Sequence, residues 1–265
     1  MSGNPATAPI SDSGGALGRR AAGWDDRPAD GGVECFHTAA ATELNRARLA
    51  HLDSLALPWN GKRVLDVGCG VGELTGFFRD RAGRVVCLDG RDENIEQVRI
   101  AHPGIEAVTA DVQVDSLRHL GRFDAVFCYG LLYHLENPLA GLRNLAAVCD
   151  DLLLIETVVC DRGEPVLYLD DETLAANQAL HGLGCRPSCS FVAMALNRIG
   201  FPFVYAPREA PDHADFQFTC LNNGEWQRDG HLLRAIFVAS RAGVYCPALT
   251  PLLRPKNPPW VLGRA

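Results

Sequence analysis

The sequence predicts an α/β fold: a doubly wound, mostly parallel sheet of seven strands with helices on both faces. Short apolar runs alternate with helical patterns of about ten to fifteen residues between residues 63 and 157, which is typical of βαβ units with right-handed crossovers. The segment 152–155 reads Leu-Leu-Leu-Ile, and strands covered on both faces are apolar at successive positions in this way. A glycine-rich turn follows the first apolar run.

Each element of this fold has a local signal. An amphipathic helix is expected over Glu34–Leu57, because leucines recur there among polar residues with helical spacing. The expected elements of the sheet follow in chain order as strand Arg63–Val67, helix Glu73–Arg81, strand Arg84–Leu88, helix Asp92–Ala101, strand Glu106–Ala110, strand Phe123–Cys128, helix Pro138–Cys149, strand Leu152–Thr157, helix Ser190–Ile199 and strands near Phe203–Tyr205 and Leu232–Ser240.

Length and local changes in composition indicate that the 265 residues form one large domain with additional segments at both ends and within it. Residues 1–30 are rich in Gly, Ala, Ser, Pro and Asp and predict a flexible leader, and residues 31–60 predict an N-terminal helical cap. The main domain is expected over residues 61–242, with an inserted lid at about 158–188, where the strand–helix alternation stops. Residues 243–265 predict a Pro-rich tail on the surface.

Charge and cysteine usage limit the function classes. The net charge is −7, whereas nucleic-acid binding draws on clustered Lys and Arg, so a nucleic-acid partner is disfavoured. We find no apolar run of 18 residues and no secretory signal, so we expect a cytoplasmic protein that does not span a membrane. The ten cysteines include no Cys-x-x-Cys pair, so we expect no metal site and no disulfide scaffold. A homodimer is left open.

The glycine-rich turn is the most informative motif. It runs from Asp66 through Gly68 and Gly70 into a predicted helix, and in doubly wound sheets ligands bind at this strand end. The dinucleotide fingerprint requires its third glycine where this chain has Glu73, and a carboxylate there would repel a pyrophosphate. Asp66 instead suits a ligand that carries an ammonium group. The turn therefore favours a cationic nucleoside over a dinucleotide.

Two further acidic residues follow the next strands. Asp89 ends the second strand, about 20 residues after Gly68, and a carboxylate at that position can accept the ribose hydroxyls. Asp111 follows the third strand and is a candidate for the adenine amino group, with the backbone N–H of Val112 beside it. For each acid alone, capping of a loop is an equal alternative. Three acids at successive strand ends together predict a nucleoside site.

These motifs resemble those of the class I S-adenosylmethionine (SAM)-dependent methyltransferases, which have a Rossmann-like fold. The resemblance lies in the segments VLDVGCGVGEL, VVCLDGRDENI, VTADV and FDAVFCYGLLYHLENP, within about residues 44–157. A later signature, GLGCRPS followed by SFVAMALNRIGF, is similar to bacterial members. The resemblance implies SAM as cofactor, bound by the residues Asp66, Gly68, Cys69, Gly70, Asp89, Gly90, Asp111, Val112, Cys128 and Tyr129.

Candidate catalytic residues follow the fourth and fifth strands. His134 is the first candidate for a general base, because a hydroxyl nucleophile benefits from one and His is the usual choice. The alternative is that His134 only holds its loop by hydrogen bonding. Glu156, at the end of the fifth strand, is a second candidate, with pairing to a surface Arg as its alternative. Arg186 sits in a stiff Gly/Pro frame and suits carboxylate or phosphate recognition, unless it is simply solvated.

The acceptor is less defined. Tyr133, Asn177, Gln178 and Arg186 are candidates for substrate binding, with His181 as a weaker one. Similar quinone-type O-methyltransferases carry Glu where this chain has Gly130 and Tyr133, which argues against a metal ion. The expected function is methylation of a small molecule, a sugar or a specialised metabolite, with oxygen favoured as acceptor. A tRNA wobble-uridine-type modifying enzyme and a SAM-binding partner protein without turnover are the alternatives.

Overall fold

The computed structural model describes residues 32–172 and 179–253. The expected leader at 1–30 and the substrate-binding candidates Asn177 and Gln178 lie outside the described residues. The same holds for the end of the expected Pro-rich tail and for most of the helical stretch expected within the lid.

Helices and strands alternate along the described part of the chain. The helices there are α1 (Ala39–Ser54), α2 (Thr75–Arg79), α3 (Asp92–Ala101), α4 (Pro138–Val148) and α5 (Cys189–Arg198). The strands are β1 (Arg63–Val67), β2 (Arg84–Asp89), β3 (Glu106–Thr109), β4 (Phe123–Tyr129), β5 (Cys149–Val158), β6 (Leu167–Asp171), β7 (Leu183–Pro187), β8 (Phe203–Pro207), β9 (Gln227–Arg228), β10 (His231–Leu232), β11 (Arg234–Ser240) and β12 (Leu249–Leu253). Short 3₁₀ helices lie at Val33–His37, Leu117–Leu120, Leu132–His134 and Ala214–Phe216.

The predicted α/β class with a mostly parallel sheet is confirmed, but the strand number is wrong. Among the described residues the main sheet has eight strands in the order β12-β8-β11-β5-β4-β1-β2-β3. The five strands from β5 to β3 pair in parallel, and β11 inserts antiparallel between β5 and β8. The eighth strand, β12, comes from the expected surface tail. Its Pro251 is tolerated because β12 is an edge strand, where a missing N–H costs little.

Two predicted helices have different bounds. The helix expected over Glu34–Leu57 is a 3₁₀ helix followed by α1, and Thr38 separates them by capping α1 with its hydroxyl, which accepts from Ala41 N at 3.1 Å. The helix expected over Glu73–Arg81 is shortened to α2. The turn that starts at the glycines continues through residue 74, so only Thr75–Arg79 is helical.

Both faces of the sheet are covered by apolar layers, because successive side chains of a strand point to opposite faces. On β1, Leu65 and Val67 belong to the layer that includes residues of α4 and α5. Val64 belongs to the opposite layer, with Leu52 of α1 and Trp59. The polar strand ends therefore project from the carboxyl edge of a sheet that is apolar on both sides.

The segment expected as a lid contains the antiparallel hairpin β6–β7. After β7, Ser188 caps α5, and its hydroxyl accepts from Phe191 N at 3.2 Å. The hairpin lies against the 3₁₀ helix Leu132–His134. Its action as a lid stays a prediction. Among the described residues, no helix combines the length and the apolarity that crossing a bilayer requires.

Candidate functional site

A small cavity of about 100 Å³ lies at the carboxyl edge of the sheet. Residues of several strand ends and of the lid segment line it together. The residues predicted from the sequence that line it are Gly68, Gly70, Asp89, Gly90, Asp111, Val112 and His134. The structure therefore brings the expected cofactor-binding loop, the acids after β2 and β3 and the expected base to one place.

The glycine loop reaches the cavity through an unusual backbone. Gly68 and Gly70 have φ of 68° and 54°, a region that side chains with a Cβ rarely adopt. A Cβ on Gly70 would lie 2.6 Å from the ring of Phe36. The loop is tied to the next strand, because Gly70 N donates to Asp89 Oδ2 at 3.0 Å. Only glycine at position 70 keeps both this backbone and the contact with Phe36.

Asp89 is held firmly at the cavity wall. Its carboxylate accepts three hydrogen bonds of 3.0 Å, from Gly70 N, Arg91 N and the side chain of Asn94. Burial raises the pKa of Asp89, and these donors only partly oppose the shift. A carboxylate offers about four acceptor positions. One position is therefore left for a ribose hydroxyl, whereas the sequence predicts that the carboxylate accepts both hydroxyls.

The lid segment covers the end of the cavity where Asp111 lies. His181 Nε2 is 2.6 Å from Asp111 Oδ2, and Asp111 Oδ1 accepts from Gln113 N at 2.8 Å. Beside this pair, Leu180 packs directly against Gly90. The cavity is smaller than the volume of about 300–1,000 Å³ that is usual for ligand pockets, and Leu180 and Phe36, which pack against Gly90 and Gly70, narrow it.

Asp66 lies beneath the glycine loop and outside the cavity lining that the structure describes. It is 2% exposed, and its carboxylate accepts from Thr75 Oγ1 at 2.7 Å. Burial raises the pKa of Asp66 to about 7, with Asp89 adding to the shift and the Thr75 hydroxyl opposing it. A direct contact with a ligand ammonium stays a prediction, and the position favours support of the loop.

Three other expected cofactor contacts are placed behind the cavity wall. Cys128 and Tyr129 on β4 are buried, at 0% and 4% exposure, and Cys69 is half-buried. Burial raises the pKa of the Cys128 thiol and of the Tyr129 hydroxyl. None of the three is among the described residues that line the cavity. Their contact with the cofactor therefore stays a prediction.

His134 lines the cavity and is paired with a residue from the lid segment. Its Nδ1 is 2.5 Å from Glu172 Oε2, and Glu172 is completely buried. Burial by itself raises the pKa of Glu172, but the hydrogen bond to His134 and the charge of Arg186 outweigh it and hold the pKa below its usual value. An ionised Glu172 therefore faces the imidazole.

Arg186 is buried within the lid hairpin, at 1% exposure. Its guanidinium donates to Glu172 Oε1 at 2.9 Å, to Asp170 Oδ2 at 2.6 Å and to the backbone oxygens of Tyr133 and Cys185. Tyr133 is itself buried beside it, with Arg186 5.7 Å from the ring centroid. Neither residue lines the described cavity. These contacts favour a positioning role for Arg186 over contact with a substrate.

Glu156 also differs from its expected role. It is fully buried between two guanidinium groups, with Arg48 at 2.5 Å and Arg234 at 3.0 Å. Burial raises its pKa, but the two positive charges outweigh this effect and lower the pKa overall. Arg234 also pairs with Asp215 at 3.0 Å. Such a carboxylate is a poor proton acceptor, because protonation would remove the negative charge that two buried cations share.

Comparison with known proteins identifies a domain within the chain. A family model described as a methyltransferase domain matches residues 64–151, which contain the glycine loop, both acids and His134. Residues 64–151 form a class I SAM-dependent methyltransferase domain. The sequence-based predictions of this family, and of SAM as its cofactor, are confirmed for the domain.

The methyltransferase domain also has relatives and structural neighbours. A ubiquinone biosynthesis O-methyltransferase of Xanthomonas campestris pv. campestris (strain B100) is 36% identical over 131 residues, 47% of this chain and 50% of the relative. A tRNA U34 carboxymethyltransferase of Idiomarina loihiensis is 30% identical over 160 residues, 57% of this chain and 47% of the relative. The chain thus spans about half the length of these curated relatives.

A solved structure shares the fold of the methyltransferase domain. The N-terminal domain of EvdMO1, solved in the presence of SAH and D-fucose, superposes with a TM-score of 0.57 and 21% identity. The match covers 74% of this chain and 81% of that one. It confirms the α/β fold.

Two observations indicate that the residues of the methyltransferase domain fit SAM. The loop at Gly70 provides a surface without side chains, and Asp89 keeps one free acceptor position at the cavity wall. Sequence reasoning missed Phe36 and Glu172, which come from the N-terminal 3₁₀ helix and from the lid. Neither lies in a recognisable motif, because their roles arise from contacts across the fold.

Proposed function

We propose that this chain is a SAM-dependent methyltransferase that methylates a small-molecule acceptor, with oxygen favoured as the accepting atom. The observation that carries the proposal is the meeting of the glycine loop, Asp89, Asp111 and His134 around one cavity. A sugar or a specialised metabolite is the class of acceptor that we favour. The relative named as a ubiquinone biosynthesis O-methyltransferase supports oxygen as the acceptor atom.

The residues of the chain have separate tasks in this proposal. SAM, when bound, supplies a methyl group on a positively charged sulfur. The glycine loop and Asp89 would hold its amino-acid and ribose parts, and Asp111 and Val112, which line the same cavity, would hold its adenine. Transfer of the methyl group is an in-line displacement, so orientation of the acceptor supplies much of the rate. His134 lies at the same cavity, where a proton acceptor is useful.

Calorimetric titration with SAM and S-adenosylhomocysteine tests the binding half of the proposal. We expect Asp89→Asn to weaken binding by about ten- to a hundredfold, the value of one charge-assisted hydrogen bond. Asp80→Asn is the matched control, because Asp80 is exposed and pairs only with its neighbour Arg79 in the described contacts. Equal affinity of wild type and Asp89→Asn would remove Asp89 from the ribose site.

Turnover is tested with a panel of acceptors that carry phenol, catechol, sugar hydroxyl, amine and thiol groups. Mass spectrometry with SAM labelled in its methyl group detects the product. Firm binding of SAM without methylation of any acceptor in the panel would favour the alternative, a SAM-binding partner protein without turnover. Failure to bind SAM at all would refute the proposal.

A second candidate function is modification of a tRNA. The similarity to a tRNA U34 carboxymethyltransferase favours it, and the net charge of −7 opposes it. Binding to phosphates makes RNA affinity fall steeply with salt. Gel-shift titration with tRNA at several salt concentrations therefore separates tRNA modification from small-molecule methylation. Absence of tRNA binding at low salt would exclude tRNA modification.

A further inference from the structure

We propose that His134 is the proton acceptor for a hydroxyl substrate and that Glu172 and Arg186, from the lid hairpin, are its positioning residues. The inference rests on the proposed methyl transfer and extends it, because it assigns two residues outside the matched domain to the reaction and defines the acceptor as a neutral hydroxyl. It is carried by the contact of 2.5 Å between His134 Nδ1 and Glu172 Oε2.

The contact with Glu172 determines which nitrogen of His134 is basic. An ionised carboxylate only accepts hydrogen bonds, so Nδ1 must carry the proton and donate it to Glu172. In neutral imidazole the other nitrogen, Nε2, then has the free lone pair. His134 is 15% exposed at its side chain and lines the cavity beside Gly130 and Leu131. The nitrogen with the free lone pair thus belongs to a residue that lines the cavity, whereas Nδ1 faces Glu172 of the hairpin.

The charges around His134 also suit a group that gains a proton. Arg186 contributes one positive charge, and Glu172 and Asp170 contribute two negative charges within hydrogen-bond distance of it. When His134 is neutral, the side chains of His134, Arg186, Glu172 and Asp170 together carry one net negative charge. When His134 is an imidazolium, the net charge of this group is zero. Because the group is largely buried, this excess charge stabilises the imidazolium that forms when the proton is taken up.

The hairpin is built to keep Glu172 in place. Glu172 Oε2 also accepts from Ala179 N at 3.3 Å, and its backbone N donates to Gly182 O at 2.8 Å. A Cβ on Gly184 would lie 2.5 Å from both Glu172 Oε1 and Tyr133 O. The glycine therefore permits the close approach of β7 to the carboxylate. This explains the second glycine of the GLGCRPS segment, which the loop motifs do not use.

The hairpin is also docked onto the segment that carries His134. Arg186 donates to Tyr133 O at 3.1 Å, and Cys185 Sγ donates to Leu132 O at 3.3 Å. Both acceptors precede His134 on the same 3₁₀ helix. Backbone and side chain of His134 are thus held by one hairpin, which matches the arrangement of a base with an orienting carboxylate.

The proposed methyl transfer requires neither an oxidant nor a metal ion. The acceptor oxygen forms a bond to the methyl carbon as the carbon–sulfur bond of the sulfonium breaks, and the sulfur keeps the electron pair. The hydroxyl proton passes to His134 Nε2, and the imidazolium later releases it to water. A neutral hydroxyl acceptor needs such a base, whereas a thiolate or a neutral amine reacts without losing a proton first.

Nuclear magnetic resonance of the full chain labelled with ¹⁵N-histidine tests the geometry without knowledge of the acceptor. We expect His134 as the Nδ1–H tautomer, with a strongly downfield proton signal. The signal is assigned by its loss in His134→Asn, and we expect Glu172→Gln to move it upfield, because an amide oxygen is a weaker acceptor than a carboxylate. Glu164→Gln is the control: Glu164 precedes the same hairpin and is exposed. A wild-type His134 in the Nε2–H tautomer would overturn the assignment, whatever the catalytic result.

Kinetics with the acceptor panel tests the consequence. We expect His134→Asn to lower kcat by about 10²-fold or more, and Glu172→Gln by about tenfold or more, with the affinity for SAM unchanged. The asparagine amide preserves a donor for Glu172, so loss of docking is not the cause. Unchanged kcat in both variants, or methylation of amines and thiols alone, would refute the inference while leaving methyl transfer intact. Absence of SAM binding would instead refute the proposed function.

Discussion

Replacing Asp66 with asparagine tests how the buried acid under the glycine loop acts on stability. Asp66 is 2% exposed and has one side-chain hydrogen bond, from Thr75 Oγ1. Its pKa is raised to about 7 in the folded chain, whereas that of an unfolded Asp is about 3.9. Between these values the folded chain keeps a proton that the unfolded chain has lost. The free energy of unfolding must therefore fall as the pH rises through this window.

The magnitude follows from the two pKa values. Their separation corresponds to about 4 kcal/mol of lost stability once the pH is above both. At about pH 5 the loss is only about 1.5 kcal/mol, because Asp66 is still protonated in the folded chain. Asparagine does not titrate and keeps an oxygen that can accept from Thr75. We therefore expect the advantage of Asp66→Asn over wild type to grow by about 2.5 kcal/mol between about pH 5 and pH 8.

Urea unfolding of both proteins at the two pH values, without SAM, measures this change. Asp124→Asn is the control without a pH effect in this range: the backbone N–H of Arg63 is the main reason that the pKa of Asp124 is lowered, so its contribution is lost only as the pH falls below that of an unfolded Asp, about 3.9. Its difference from wild type should therefore be the same at about pH 5 and pH 8. A constant difference between Asp66→Asn and wild type at both pH values would refute the reasoning. It would mean that Asp66 is ionised in the folded chain.

Three further substitutions test the cavity and its surroundings. Gly70→Ala should destabilise the chain by about 1–3 kcal/mol in urea unfolding and weaken SAM binding in calorimetry, because the new Cβ strains a left-handed backbone and meets the ring of Phe36. His181→Ala should tighten SAM binding several-fold in the same titration, since it releases the Asp111 carboxylate from its contact of 2.6 Å. Glu156→Gln should destabilise the chain by about 3 kcal/mol, because it leaves two buried guanidinium groups with one charged partner fewer.

Each of these expectations has a control. Adding Phe36→Ala to Gly70→Ala should recover part of the lost stability, and no recovery would separate Phe36 from the effect. His119→Ala is matched to His181→Ala, because His119 contacts only Ser116 O in the described structure; an unchanged SAM affinity in His181→Ala would show that Asp111 is already available to a ligand. Full stability combined with lost turnover in Glu156→Gln would return Glu156 to a catalytic role.

The local sequence determined much of the cofactor side of this protein. Apolar runs predicted the strands, and the spacing of glycines and acids after them predicted the loop and Asp89 at one sheet edge. This succeeds because parallel strands bring their carboxyl ends together, so residues that follow successive strands become neighbours without further information. The eighth strand was missed, since Pro251 is compatible with a strand only at an edge.

The tertiary structure alone decided the surroundings of the expected catalytic residues. Glu156 and Arg186 have sequence contexts that suit a site, yet the fold buries both among opposite charges. The partners of Glu156 come from distant segments, and those of Arg186 come from its own hairpin. Glu172 has no motif and still lies against His134, 38 residues away in the chain. Local patterns encode which residues end a strand, whereas charge pairing depends on which segments pack together, and that depends on the whole chain.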